Sequence, residues 1–263
     1  MLILAQFLFR LSFGLAGSMA AIAHEKVTFG FFQKHLWVIM GMHTLLAVAL
    51  FGSPTISVSP WLAVASAGLA YVGSVIWLYD ARRLGTLLLL AVVGVTCLGA
   101  ILTAQVAPSS PNPAIANAAE GHPLASALRG ADPITGGLLL GTTIAAMFLG
   151  HWYLNTPTMA IAPLERLVIL MGVSVGLRAV NAAGGLACYW MWIGPPSTTT
   201  LCFVALRWLA GLVGAGVVVV MTWHTLKIPN TQSATGILYV GVIVTFLGEL
   251  TAQLLRSESP FPL

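Results

Sequence analysis

Residues 84–106 read LGTLLLLAVVGVTCLGAILTAQV, a stretch of 23 positions without a single charged side chain. A helix needs roughly 20 apolar residues to cross the hydrocarbon core of a bilayer. Asp80, Arg82 and Arg83 stand directly before the stretch, as expected where a chain enters the membrane. The stretch therefore predicts a transmembrane helix.

Seven further stretches have the same character and are separated by turn formers and charges. Together the eight predicted spans are residues 2–23, 34–53, 58–79, 84–106, 133–154, 164–187, 200–226 and 234–255. The first is too long for a secretory signal and lacks a basic flank, so we expect it to be a retained helix. We expect an all-α polytopic membrane protein, a bundle of about eight transmembrane helices in one domain over residues 1–263.

The composition agrees with lipid as the main solvent of the outer surface. The chain is 58% hydrophobic and 7% charged, whereas soluble domains carry about 25% charged residues. The net charge of +4 comes from scattered basic residues, and without a basic stripe we expect no nucleic-acid partner. Membrane lipid and other subunits of a membrane complex are the expected partners.

Residues 107–132 are rich in Pro, Ser, Ala and Asn and lack periodicity, so they predict a surface loop between two four-helix halves. A docking role for this loop is the alternative. The lysines and arginines outside the spans favour one side, by six to two; the six are Lys26, Lys34, Arg82, Arg83, Arg166 and Lys227, against Arg129 and Arg256. The positive-inside rule then places both termini and the loop on the extracytoplasmic side of the cell's inner (plasma) membrane.

Four charged residues lie deep inside predicted spans, namely Arg10, Arg178, Arg207 and Glu249. Such groups are costly in a membrane and are functional candidates. One interpretation is that they tie helices together. The other is a pocket for a quinone head group, in which cations stabilise a quinone oxygen and the carboxylate passes a proton.

Several histidines lie at the opposite side of the predicted bundle. His151 and His224 are near the inner ends of their spans and match in depth, so they are candidate axial ligands to the iron of a b-type haem. His43 and His35 are alternative ligands. Interfacial anchoring or a proton pathway would explain the same residues.

The three cysteines form no CxxC pair, so c-type haem attachment and structural zinc are not expected. Cys188 and Cys202 flank a short predicted outer loop. That side is oxidising, which makes this pair a candidate disulfide.

The last predicted span begins within the stretch Ser233-Ala234-Thr235-Gly236-Ile237-Leu238-Tyr239 and later contains Gly248-Glu249-Leu250. This ending, with eight helices and both termini outside, resembles the membrane anchor family of the DMSO reductases and polysulfide reductases. The resemblance implies a subunit that carries electrons between quinone and an iron–sulfur partner. The family often has an arginine soon after Gly-Glu-Leu, whereas here Gln253 comes first and Arg256 follows later.

The sequence therefore predicts a subunit of a respiratory-type electron-transfer complex that exchanges electrons with quinone and carries b-type haem as an optional cofactor. Whether the chain is itself part of an enzyme is left open, because no motif fixes a reaction. Two alternatives remain. Four plus four helices with buried arginines also suit a transporter for a small anionic substrate, and the short connections suit a cofactor-free scaffold subunit.

Overall fold

A computed structural model describes residues 1–52, 59–106, 122–156, 158–228, 230–259 and 261–263. Within these ranges the chain forms eight long helices and no strand. They are α1 Leu2–Ala21, α2 Phe29–Phe51, α3 Pro60–Leu78, α4 Arg82–Gln105, α5 Pro123–Asn155, α6 Ala162–Trp192, α7 Thr198–Leu226 and α8 Thr231–Glu258. A short 3₁₀ turn, His24–Lys26, connects α1 to α2.

All eight helices are long and apolar enough to span a membrane, which confirms the predicted all-α polytopic bundle. The first halves of α1 and α5 and the end of α8 meet through Arg10, Asp132 and Arg256, whereas the end of α1 lies beside the starts of α4 and α6. The end of the bundle that carries Met1 and Leu263 is called the Met1 face below, and the opposite end is called the His24 face.

The prediction of a loop is wrong over residues 123–132, because α5 begins at Pro123. Proline fits the first turn of a helix, where its missing N–H has no partner to lose. Ala125 is fully buried and Leu128 packs against the same cluster, so tertiary contacts stabilise this turn. Residues 107–121 of the predicted loop lie outside the described residues.

The centre of the bundle is built from α5 and α1, the two helices with the largest buried share. They cross at glycines: a Cβ on Gly14 would lie 1.7 Å from the carbonyl oxygen of Gly137, and one on Gly141 would lie 1.8 Å from the carbonyl carbon of Gly14. Small residues let two backbones approach this closely. This crossing fixes the depth of Arg10 and Asp132 relative to each other.

The outer helices expose large apolar side chains, as expected of a surface in lipid. Among the most exposed are Leu45, Val180, Leu209 and Ile243, each with more than 65% of its surface accessible. The helices therefore form a bundle with an apolar rim, and its mostly apolar interior also holds buried charged residues.

Candidate functional site

Asp132 is the centre of a buried ionic network near the Met1 face. Its Oδ1 accepts a hydrogen bond from Arg178 Nη1 at 2.6 Å. Its Oδ2 accepts from Arg10 Nη2 and from Arg256 Nη1, each at 2.7 Å. One carboxylate on α5 therefore connects arginines from α1, α6 and α8.

Glu249 of α8 is the second carboxylate. It forms a bidentate pair with Arg178, with Nε to Oε1 at 2.6 Å and Nη2 to Oε2 at 2.8 Å. Arg256 donates its remaining Nη2 to the carbonyl of Ala104 at 2.7 Å, which attaches α4 to the network. We call Arg10, Asp132, Arg178, Glu249 and Arg256 the ionic cluster.

Local sequence makes room for the cluster. A Cβ on Gly136 would lie 2.5 Å from Glu249 Oε2 and 3.3 Å from the guanidinium carbon of Arg178. Gly136 is one turn along α5 from Asp132. Because it has no side chain, the Arg178–Glu249 ion pair fits beside the Asp132 carboxylate.

Arg207 lies in a π-helical segment of α7, Arg207–Gly214. Wide turns of this kind are frequent at functional sites. The segment packs on α8 beside Glu249, where Gly211 and Gly248 touch through their backbones. Arg207 is 2% exposed and lies within electrostatic range of Arg178, Glu249 and Asp132.

The charges do not balance. Four buried arginines (Arg10, Arg178, Arg207 and Arg256) face the two carboxylates of Asp132 and Glu249. If all six are ionised, two positive charges are in surplus. Arg207 forms no ion pair with any described residue. A charge in the membrane interior is expensive unless it is compensated, so the surplus favours an electron-rich ligand or an anion.

Buried polar atoms without partners occur on the helices that carry the four buried arginines. Arg10 Nε, Arg207 Nη2 and both amide atoms of Asn181 and Gln253 are buried and make no hydrogen bond with described residues. Asn181 is three residues after Arg178, and Gln253 is four residues after Glu249, so each shares a helix face with its neighbour in the cluster. Each unsatisfied buried group costs about 1–3 kcal/mol, which a ligand or ordered water would recover.

A small cavity of about 10 Å³ reaches the cluster from the Met1 face. It is lined by Arg129, Asp132, Ala252, Arg256, Phe261 and Pro262. Its volume suits about one water molecule. Phe261 is 1% exposed, so the segment after α8 covers this side of the cluster.

The structure thus brings Arg10, Arg178 and Glu249 together, with Arg207 beside them. Two members of the cluster were missed from the sequence. Asp132 was assigned to a loop, and Arg256 was counted as an outer-side charge, whereas it is only 9% exposed. The predicted spans contain three deeply placed arginines and one such acid. This surplus of arginines indicates that another carboxylate is buried with them, which could have identified Asp132.

The histidines occupy separate surroundings. His35 is buried, bonds through Nδ1 to the Phe31 carbonyl at 2.5 Å and lies against Phe148. His43 is fully buried beside Phe9, and neither ring nitrogen has a partner among the described residues.

His151 and His224 are both exposed. Each uses Nδ1 in a hydrogen bond, to Tyr239 and to the Val220 carbonyl respectively. Among the described residues nothing bonds their Nε2 atoms, the nitrogen a haem iron would need. No group of three or more metal-ligating side chains occurs in the part of the chain that the structure describes.

The candidate disulfide is not formed, since Cys188 and Cys202 are both free thiols. Cys188 is buried in packing with Ala125, Tyr189 and Phe261, whereas Cys202 is exposed on α7. The two side chains lie in different surroundings, which explains why their closeness in sequence does not lead to a bond.

No protein-family model, curated protein or solved structure matches this chain.

Proposed function

We propose that this protein is an integral membrane subunit of an electron-transfer complex that exchanges electrons with quinone beside the ionic cluster. The observation that carries the proposal is the buried surplus of two positive charges next to unpaired guanidinium and amide donors. A quinone oxygen gains electron density on reduction. Fixed donors in a site without water stabilise such charge strongly.

The residues divide into three roles. Arg207 and Asn181 donate hydrogen bonds to a head-group oxygen, which supplies the partners that these side chains lack. Glu249 is the proton carrier, since it lies near Arg207 and a carboxylate serves as a general acid or base. Asp132 holds three arginines in place and is a positioning residue.

The electrons require a partner. The described residues form little besides membrane-length helices, so another subunit has to carry the redox centre that exchanges electrons with the quinone. The resemblance of the last helix to the DMSO-reductase and polysulfide-reductase anchors supports the same arrangement.

A b-type haem on His151 and His224 is a separate part of the proposal. The free Nε2 atoms are compatible with axial ligation, and haem would supply one-electron transfer. A reduced-minus-oxidised visible spectrum of the protein isolated with its native partners tests this part. A b-type band that disappears in His224→Gln supports it, and a spectrum without the band in folded protein removes it.

The quinone site is tested by titration. The full chain in nanodiscs is titrated with decylubiquinone and with a menaquinone analogue, and tryptophan fluorescence reports binding. Arg207→Gln keeps every ion pair of the cluster and removes one surplus charge. We expect its Kd to rise at least about tenfold, equivalent to about 1.4 kcal/mol.

Lys26→Gln is the matched control, because Lys26 is exposed on the His24 face, and its Kd should equal that of the wild type. Saturable binding that is equal in wild type and Arg207→Gln would contradict the proposed site. An absence of saturable binding for both quinones would contradict the function.

The surplus charge also favours a second candidate, a carrier for a small anion. Flux of an anion into proteoliposomes, lost in Arg207→Gln without any quinone binding, would select the carrier. If neither binding nor flux is found but a native complex fails to assemble in Arg178→Ala, the cluster is a scaffold element.

A further inference from the structure

An open groove of about 440 Å³ lies on the His24 face, far along the bundle from the ionic cluster. It is formed where α1 ends, where α4 and α6 begin, and by the 3₁₀ turn after α1. Its volume is in the range of small-molecule sites. The groove is separate from the proposed quinone site, and nothing in its interpretation depends on that proposal.

The lining of the groove is strongly basic. Arg82, Arg83 and Arg166 contribute three positive charges, and Glu25 is the single acidic residue that lines it. Arg82 pairs with Asp80 at 3.0 Å. Arg83 and Arg166 form no ion pair with any residue in the described ranges, so their charges remain available to a ligand.

Two of the arginines stand where a helix least favours them. Arg82 and Arg83 are the first two residues of α4, whose first turn holds no acidic residue and whose N-terminus has no side-chain cap. The N-terminus of a helix already carries a partial positive charge and free N–H groups, so cations there are unfavourable and anions are favoured. An anion in the groove would satisfy both features at once.

Neutral hydrogen-bonding groups complete the lining. The Thr86 hydroxyl lies 3.3 Å from His24 Nδ1, and both residues line the groove. His24 Nε2 is 3.2 Å from the Met19 carbonyl oxygen, and the ring packs against Phe32 and Trp77. These contacts fix the position of the His24 ring beside the start of α4.

We propose that this groove binds a phosphate group. Arginine forks match phosphate oxygens in geometry as well as charge. The groove lies at the ends of membrane-length helices, the depth at which lipid phosphates occur, and basic pockets there recognise anionic head groups. The phosphate belongs either to an anionic lipid or to a soluble phosphate compound, and the experiment separates the two sources.

The test uses the full chain in neutral detergent. Thermal unfolding is followed during titration with phosphatidylglycerol, with phosphatidylcholine as the zwitterionic comparison, and separately with inorganic phosphate and pyrophosphate. The variant is Arg83→Gln/Arg166→Gln, whose two side chains are exposed and form no ion pair with described residues, so we expect it to fold. The control is Lys26→Gln, a basic residue on the same face that does not line the groove.

We expect saturable stabilisation by phosphatidylglycerol and an apparent Kd about 30-fold weaker in the double variant. Lys26→Gln should match the wild type. Stabilisation by inorganic phosphate or pyrophosphate with the same loss assigns the site to a soluble ligand. Equal affinities in wild type and double variant, or no saturable response to any of these ligands, overturn the proposal.

Discussion

The ionic cluster and the groove on the His24 face are both rich in arginine, but they differ in how many of their arginines form ion pairs with carboxylates. In the cluster three arginines share one aspartate, and a fourth, Arg207, lies beside them. Of the arginines in the groove, Arg82 alone forms an ion pair with a residue in the described ranges, and its partner is Asp80, two residues away. The difference follows from depth. A charge inside the membrane must be compensated by the protein, whereas a charge at its surface is compensated by water.

Removal of the Asp132 carboxylate should lower the stability of the protein more than any other change considered at the two sites. Asp132→Asn keeps the shape of the side chain but leaves three arginines without their shared partner. Loss of one partner from a buried ion pair costs about 3–5 kcal/mol. We expect a large fall in the unfolding temperature and in the yield of folded protein, measured by circular dichroism in mild detergent.

Asp80→Asn is the matched control on the His24 face. Its pair with Arg82 has side chains that are 49% and 41% exposed, and an exposed pair contributes about 1 kcal/mol or less. Equal stability of the two variants would show that depth does not govern these charges.

A subtler change tests the geometry of the cluster. Arg178→Lys keeps the charge but removes the forked pair with Glu249, which an ammonium group cannot form. Hydrogen bonds to charged groups contribute about 1.5–3 kcal/mol, and the free energy of unfolding should fall by that order. Unchanged stability would mean that the net charge alone matters.

The close crossing of α1 and α5 should be sensitive to any increase in side-chain volume at its glycines. Gly14→Ala places a methyl group against the backbone of Gly137 and should cost about 1–3 kcal/mol. Gly17→Ala, one turn along the same helix, meets open space and should be neutral. Thermal unfolding of both variants measures the difference, and an equally tolerated Gly14→Ala would contradict the close crossing.

The smallest expected effect concerns pH at the groove. Burial lowers the pKa of His24 below its ordinary value of 6.5, and the charge of Arg82 adds to this, while the hydrogen bond to Met19 opposes it. The folded protein therefore favours neutral His24. The contribution of neutral His24 to the stability of the protein should be fully present above pH 6.5, and it should be lost as the pH falls through the lowered pKa of His24. Unfolding temperatures measured across this range should show a weaker pH dependence in His24→Gln, and an identical dependence would contradict this.

Much of the fold could be predicted because hydropathy reports directly on lipid contact, as the uncharged stretch 84–106 illustrates. The start of α5 could not, because the Pro- and Ser-rich composition of residues 107–132 indicates a loop, whereas the packing of Ala125 and Leu128 against distant residues decides the outcome. Because Asp132 was placed in the predicted loop, it was not recognised as a buried carboxylate. Arg10, Arg178 and Glu249 could be predicted as a layer from depth alone. The partners of each depend on helix rotation and packing, which hydropathy does not encode.

The orientation of the chain in the membrane stays a prediction. It rests on the six basic residues at the His24 face, three of which line the groove.

The most direct test of the central claim is photoaffinity labelling with an azido-quinone, with the labelled peptides mapped by mass spectrometry. The account predicts label on α6, α7 and α8 around Asn181, Arg207 and Gln253, and loss of that label when excess unlabelled quinone is added. Label confined to the lipid-facing rim, or label at these residues that excess quinone does not displace, would contradict a quinone site beside the ionic cluster.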